Sequence, residues 1–151
     1  MTTSKFDLIV IGAGPGGYVG AIRAAQLGMT VACIDKRPTL GGTCLNVGCI
    51  PSKALLNASE HFAAAASGGL ADMGIEVGKV ALDLPRMMQS KQDIVGNLTG
   101  GIEFLFKKNK ITRLEGRACI TAPGAVMISD GKDKGSYQAD RIMIATGSYP
   151  S

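Results

Sequence analysis

Tryptophan is absent from the chain, histidine occurs once, and aromatic residues make up only 5% of it. The lysines therefore form no basic stripe interleaved with aromatics. The net charge of +4 reads as solvated surface and not as a nucleic-acid footprint. Long apolar runs are also missing, and nothing approaches the roughly 18 residues of a membrane span. Asp7 and Gly12 interrupt the first apolar run, which spoils it as the core of a signal peptide, and a cytosolic address is expected. With His61 as the single histidine, a tetrahedral zinc site has little to draw on, and no metal is expected. His61 itself reads as a surface or capping group.

What is present is the balance of a packed α/β domain: 46% hydrophobic, 19% charged, and a mean hydropathy of +0.20 over 151 residues. That length suits one domain with its own core. The 21 glycines are the outlier, and they fall at turns.

Phe6 to Ile11 is a short β-branched run that predicts a buried parallel strand. Gly12-Ala-Gly14-Pro-Gly16-Gly17 follows, then a helix over Tyr18 to Leu27 stopped by Gly28. A second strand runs from Met29 to Ile34 and is closed by Asp35. Strand, G-x-G-x-x-G turn, helix, strand and acid stand in the order a dinucleotide-binding unit requires. In that reading Gly12 allows the turn, Gly14 admits a pyrophosphate, Gly17 lets the helix pack close, and Asp35 accepts from ribose hydroxyls. Cys33, inside the second strand, reads as a buried thiol.

Lys36 to Leu40 is a loop, and after it comes Gly41-Gly42-Thr43-Cys44-Leu45-Asn46-Val47-Gly48-Cys49-Ile50-Pro51-Ser52-Lys53. Two cysteines followed by a lysine point to redox work. In a regular helix their Cα atoms would lie roughly 8 to 9 Å apart, and a disulfide tolerates about 7 Å. Gly48 and Pro51 supply reasons for a bend that brings the thiols together. The rival reading is two small apolar residues at a helix start.

Ser52 to about Ser67 is helical, with Leu55, Leu56, Ala58 and Phe62 as its apolar face. Residues 68 to 83 read as a loop with a short extended piece at Ile75 to Val77. A long helix over Pro85 to Lys108 has Met87, Met88, Ile94, Val95, Leu98, Ile102, Leu105 and Phe106 as its core set. Its Gly96, Gly100 and Gly101 mark close approach to another element or a ligand, or merely a kink. Strands are expected at Ile111 to Glu115, Arg117 to Thr121, Ala125 to Ser129 and Arg141 to Ala145, with Asp130 to Ser136 a polar turn. Cys119 lies in an apolar run that should be buried.

The glycine turn, the two-cysteine segment and Ala145-Thr146-Gly147-Ser148 together resemble the FAD-binding portion of the pyridine nucleotide-disulfide oxidoreductases. The Ile50-Pro51-Ser52-Lys53-Ala54-Leu55-Leu56 continuation and the Thr99 to Ile111 stretch are similar to the dihydrolipoyl dehydrogenases among them. The resemblance implies a Rossmann-like α/β fold, a parallel sheet with helices plus a small antiparallel β-meander, and it covers only the first part of the family pattern. The NAD-binding and dimer-interface domains are expected to lie outside these 151 residues.

By the same resemblance Cys44 is the thiol that exchanges with dihydrolipoamide, Cys49 is the thiol facing the flavin, and Lys53 lies near the flavin. The implied FAD contacts are Gly12, Gly14, Gly16, Gly17, Asp35, Lys36, Gly42, Thr43, Cys44, Lys53, Ala118, Thr146, Gly147 and Ser148. Asp35 departs from the Glu of many members. NAD is the implied electron acceptor. The implied partners are a second copy of the full-length chain and the lipoyl groups of 2-oxo acid dehydrogenase complexes or the glycine cleavage system. Two alternatives stand beside this reading: another member, such as a mercuric or glutathione reductase, or a non-catalytic FAD- or adenine-nucleotide-binding fragment.

Overall fold

The computed structural model describes residues 5–148. In chain order these form β1 (Lys5–Ile11), α1 (Pro15–Gln26), β2 (Val31–Asp35), α2 (Gly42–Asn46), α3 (Cys49–Ala66), a single 3-10 turn (Ala71–Met73) and α4 (Leu84–Lys108). Then come β3 (Thr112–Glu115), β4 (Arg117–Ala122), β5 (Ala125–Asp130) and β6 (Gly135–Ile144). One sheet holds all six strands in the order β3-β2-β1-β6-β5-β4. Strands β3, β2, β1 and β6 are parallel, while β4, β5 and β6 form an antiparallel meander. This is the expected Rossmann-like α/β arrangement.

Strand β6 belongs to both halves. Its Gly135 to Gln138 pair antiparallel with β5, and its Gln138 to Ile144 pair parallel with β1. Sequence reading began this strand only at Arg141 because Ser136, Gln138 and Asp140 look like turn chemistry. They fill the exposed positions of an alternation whose other members, Tyr137 and Ala139, are half-buried and buried.

Strands β1 and β2 are covered on both faces, which is why they read as continuous apolar runs. Val10, Val31 and Cys33 pack with Ala21 and Ala24 of α1 and with Ile102 and Phe106 of α4. Ile9, Ala32 and Ile34 face the other way and pack with Val126, Ile128 and Ala139 of the meander. Ile9, Ile34 and Ile128 are fully enclosed, and each contributes about 1.5–3 kcal/mol by burial.

Helix α1 begins three residues before the predicted Tyr18, because Pro15 lacks only an N–H that a first turn leaves unbonded anyway. Helix α4 starts at an Asp83 cap, whose carboxylate accepts from the Arg86 N–H at 3.0 Å, and ends on Lys107 and Lys108.

The remaining expectations have mixed outcomes. Ile75 to Val77 lies in a stretch without helix or strand, in keeping with a loop. Of the predicted α4 core set only Val95, Ile102 and Phe106 are buried, together with Thr99, and Met88, Ile94, Leu98 and Leu105 are exposed. Helix α3 buries no residue fully: Leu55 and Ala58 of its predicted apolar face are half-buried, while Leu56 and Phe62 are exposed. A Cβ on Gly96, Gly100 or Gly101 would meet nothing within 4 Å, so none of them marks a close approach among the described residues. Cys119 is exposed, because β4 is an edge strand with most of its residues open to water.

Candidate functional site

The carboxyl ends of β1, β2 and β6 meet at a crevice, the place where open α/β sheets bind ligands. Gly12 leaves β1 with φ +103°, and its N–H donates to the Ile34 carbonyl at 2.7 Å. A Cβ there would lie 2.3 Å from the Ala145 oxygen, so the turn is pressed against the end of β6. Gly17 is buried under the turn and serves packing: a Cβ on it would stand 1.8 Å from the Gly12 oxygen.

Gly14 differs from both. It caps α1 in an extended conformation, and a Cβ there would find only the Gly42 Cα, at 3.9 Å. Nothing in the protein demands glycine at this position, and what the missing side chain leaves is open crevice.

Asp35 closes β2 and turns back on the glycine turn. One carboxylate oxygen accepts from the Ala13 N–H at 2.7 Å and the other from the Arg37 N–H at 2.9 Å. Its backbone carbonyl accepts from the Gly116 N–H at 2.9 Å, which ties the start of the meander to the end of β2. The acid thus holds the walls of the crevice. A carboxylate offers about four lone-pair directions, so acceptor capacity remains for a ligand.

The crevice has two lobes. The first, about 550 Å³, is lined by Ile11, Gly12, Ile34, Asp35, Lys36, Gly116, Arg117, Ala118 and Thr146. The second, about 450 Å³, continues from Gly12, Asp35, Lys36 and Thr146 to Gly14, Pro15, Gly16, Arg37, Gly42, Thr43, Cys44, Ala145, Gly147 and Ser148. At this second lobe the first turn of α1 has no side-chain cap, and Lys36 and Arg37 stand at its edge. A helix N-terminus and two cations favour an anion there.

Twelve of the sequence-predicted contacts line the lobes: Gly12, Gly14, Gly16, Asp35, Lys36, Gly42, Thr43, Cys44, Ala118, Thr146, Gly147 and Ser148. Gly17 lies beneath the turn, and Lys53 and Cys49 lie outside the lining. Sequence reading missed Arg37 and Arg117. The signal for Arg37 was present, as a second cation directly after Lys36 at a strand end.

The two-cysteine segment is a broken helix, as its glycine and proline predict. Cys44 sits on α2, Cys49 opens α3, and Gly48 between them takes φ −121° and ψ −110°. Both are free thiols in this structure, Cys44 half-buried and Cys49 exposed. Hydrogen bonding to the Cys49 thiol is the main cause that pushes the Cys44 thiol above its ordinary value, and burial adds to it. The charge of Lys53 acts on Cys44 in the opposite direction. The fold therefore sets Cys44 in the wall of the second lobe, with Cys49 and Lys53 following on α3. Cys33 is a different thiol: burial, with the Asp35 charge behind it, pushes it up to about 12. It is inert beside Cys44 and Cys49.

Among the described residues no group of three or more His, Cys, Asp or Glu could hold a metal ion, and no helix is long and apolar enough to cross a membrane. Residues 6–151 match the family model described as pyridine nucleotide-disulphide oxidoreductase. The chain belongs to that family. It is 53% identical over 149 residues to "Dihydrolipoyl dehydrogenase 3" of Pseudomonas putida, covering 97% of this chain and 32% of that protein. It is 53% identical over 149 residues to the mitochondrial dihydrolipoyl dehydrogenase of Caenorhabditis elegans, and 52% identical over 145 residues to that of Sus scrofa. These alignments cover 97% and 94% of this chain and 29% and 28% of the two relatives. The chain thus spans about a third of the length of the curated relatives it matches.

Proposed function

We propose that this chain is the FAD-binding part of a dihydrolipoyl dehydrogenase, in which Cys44 and Cys49 cycle between dithiol and disulfide as dihydrolipoyl groups are oxidised and NAD is reduced. The observation that carries the reading is Cys44 lining a crevice built on a glycine turn, with Cys49 opening the next helix just past the break at Gly48. The residues fit FAD. The lobe beside Ala118 and Ile34 suits an adenosine, Asp35 has acceptor capacity left for a ribose, and the open space at Gly14 admits a pyrophosphate between the α1 N-terminus and Arg37. When bound, the flavin supplies electron transfer between the thiols and the nicotinamide.

In the chain's own chemistry, the Cys44 thiolate attacks one sulfur of a disulfide. Cys49 then attacks the mixed disulfide, closes the Cys44–Cys49 bond and releases the second substrate thiol. Lys53 favours the thiolate by its charge. In the forward direction the same steps run backwards, and dihydrolipoyl is oxidised at the expense of the protein disulfide. The expected partners are lipoyl groups carried by 2-oxo acid dehydrogenase complexes or the glycine cleavage system, and a second copy of the full-length chain. A reducing compartment suits such a pair, and we assign this chain the cytosol, although the nematode and pig relatives carry mitochondrial names.

The thiol half of this chemistry can be tested without flavin. A reduced Cys49→Ser variant mixed with lipoamide should accumulate a mixed disulfide on Cys44, found by peptide mapping. Glutathione disulfide and Hg(II) in parallel test the rival family members. Adduct on Cys119 alone, or preferential reaction with glutathione disulfide, would remove the dihydrolipoyl assignment.

A further inference from the structure

Helix α2 has five residues and no side-chain cap. A helix that short does not hold itself in water, yet it carries Cys44 and fixes where that thiol sits. The side chain of Asn46, on its last residue, supplies what the helix lacks. Its amide N–H₂ donates to the Leu40 carbonyl at 3.0 Å and to the Gly42 carbonyl at 2.8 Å. Its amide oxygen accepts from the Thr39 hydroxyl at 2.6 Å. One half-buried amide thus closes the loop that enters α2 onto the residue that leaves it, with Cys44 inside the ring so formed. The amide orientation follows from chemistry, since two carbonyls need donors on one side and a hydroxyl can donate on the other.

We infer that Asn46 is a positioning residue for the thiol pair: it holds α2, and with it Cys44, in place across the Gly48 break from Cys49, and thereby sets the reduction potential of the couple. This rests on the proposed redox pairing and adds to it the group that tunes it. Cys44 on α2 and Cys49 at the start of α3 are separated by a single break at Gly48, so a held α2 leaves disulfide closure little further ordering to do. Loosening α2 lowers the effective concentration of one thiol at the other and makes the disulfide a stronger oxidant.

The test is equilibration of the 151-residue chain in glutathione buffers, with the Cys44–Cys49 disulfide quantified by mapping. In each equilibrium the protein S–S bond breaks and that of glutathione disulfide forms. Two electrons pass from two glutathione thiols, whose protons end on Cys44 and Cys49. Asn46→Ala should shift the midpoint ratio about tenfold toward easier reduction, which is about 30 mV for a two-electron couple. Asn46→Asp, which turns an oxygen onto two carbonyls, should shift it at least as far. Thr39→Val, losing one of the three bonds, should shift it less and in the same direction, and it decides the matter if both Asn46 variants fail to fold. Thr30→Val is the control for general loosening: it removes the hydroxyl paired with Asp7 at the opposite end of β1 and β2, and should leave the midpoint unchanged.

A midpoint within threefold of the parent in the folded Asn46 variants, or an equal shift in Thr30→Val, overturns the inference while the redox pairing stands. Absence of any Cys44–Cys49 disulfide in the parent chain overturns both.

Discussion

Replacing Gly14 by Ala separates a glycine kept for folding from one kept for a ligand. The position has φ −70° and ψ −179°, which any residue adopts, and the new methyl would find only a Cα at 3.9 Å. Folding should therefore change by less than about 1 kcal/mol, because the gain of about 0.4–1 kcal/mol from a stiffer unfolded chain is opposed by the preference of an N-cap for Gly over Ala. A pyrophosphate lying against the turn would be pushed off by that methyl. Losing one or two charge-assisted bonds of about 1.5–3 kcal/mol each, at 1.4 kcal/mol per tenfold, weakens FAD by at least about tenfold. Gly42→Ala is the contrast. Its φ of +60° and a Cβ 2.5 Å from the Gly14 Cα should cost stability as well as affinity. The assays are urea denaturation of the ligand-free chain and FAD titration followed by flavin fluorescence. If Gly14→Ala folds normally and keeps FAD affinity within threefold, no pyrophosphate lies against this turn.

The buried Cys33 should make the fold weaker in alkali. Its thiol rises from an ordinary value of 9.0 to about 12, so above pH 9 the unfolded chain loses a proton that the folded chain keeps. The contribution is fully present below pH 9 and falls by about 1.4 kcal/mol per pH unit from there toward pH 12. Urea denaturation at pH 8.5 and 10.5 should show this slope in the parent and not in Cys33→Ala, and equal slopes would refute it. Gly100 sits in α4 with no atom within 4 Å of a Cβ. Gly100→Ala should then stabilise by about 0.5–1 kcal/mol, a rise in Tm of about 1–4 °C at this size, and a lowered Tm would show that the methyl meets something.

The sequence makes β1, α1, β2 and α4 legible because local physics and tertiary demand agree there. Runs buried on both faces look continuous, Gly28 stops α1, and Pro85 suits the first turn of α4. It fails where burial depends on distant chain. Cys119, and Leu56 and Phe62 of α3, have the pattern of buried positions, but they are exposed among the described residues. The polar half of β6 was hidden because alternation over four residues, with serine, glutamine and aspartate outward, looks the same as a turn until β5 pairs with it.

The crevice divides along the same line. Motifs name residues that line it, because a glycine turn or a two-cysteine segment is a local pattern with a chemical purpose. They do not name the residues that hold it in shape, whose partners lie elsewhere in the chain. Asp35 looks like a ribose acceptor, yet its first partners are the Ala13 and Arg37 N–H groups. Arg113 looks like a solvated strand cation, yet its guanidinium joins Glu103 of α4 to the Pro38 carbonyl in the loop before the thiols. Asn46 passes for a spacer between two cysteines until its three bonds are seen. Each of the three ends on a backbone group, and a backbone group carries no signature in sequence. Substitutions at Arg113 and Asn46 should therefore act on the chemistry through geometry, moving affinity or potential without touching a lining atom, whereas a substitution at Asp35 changes wall and lining together.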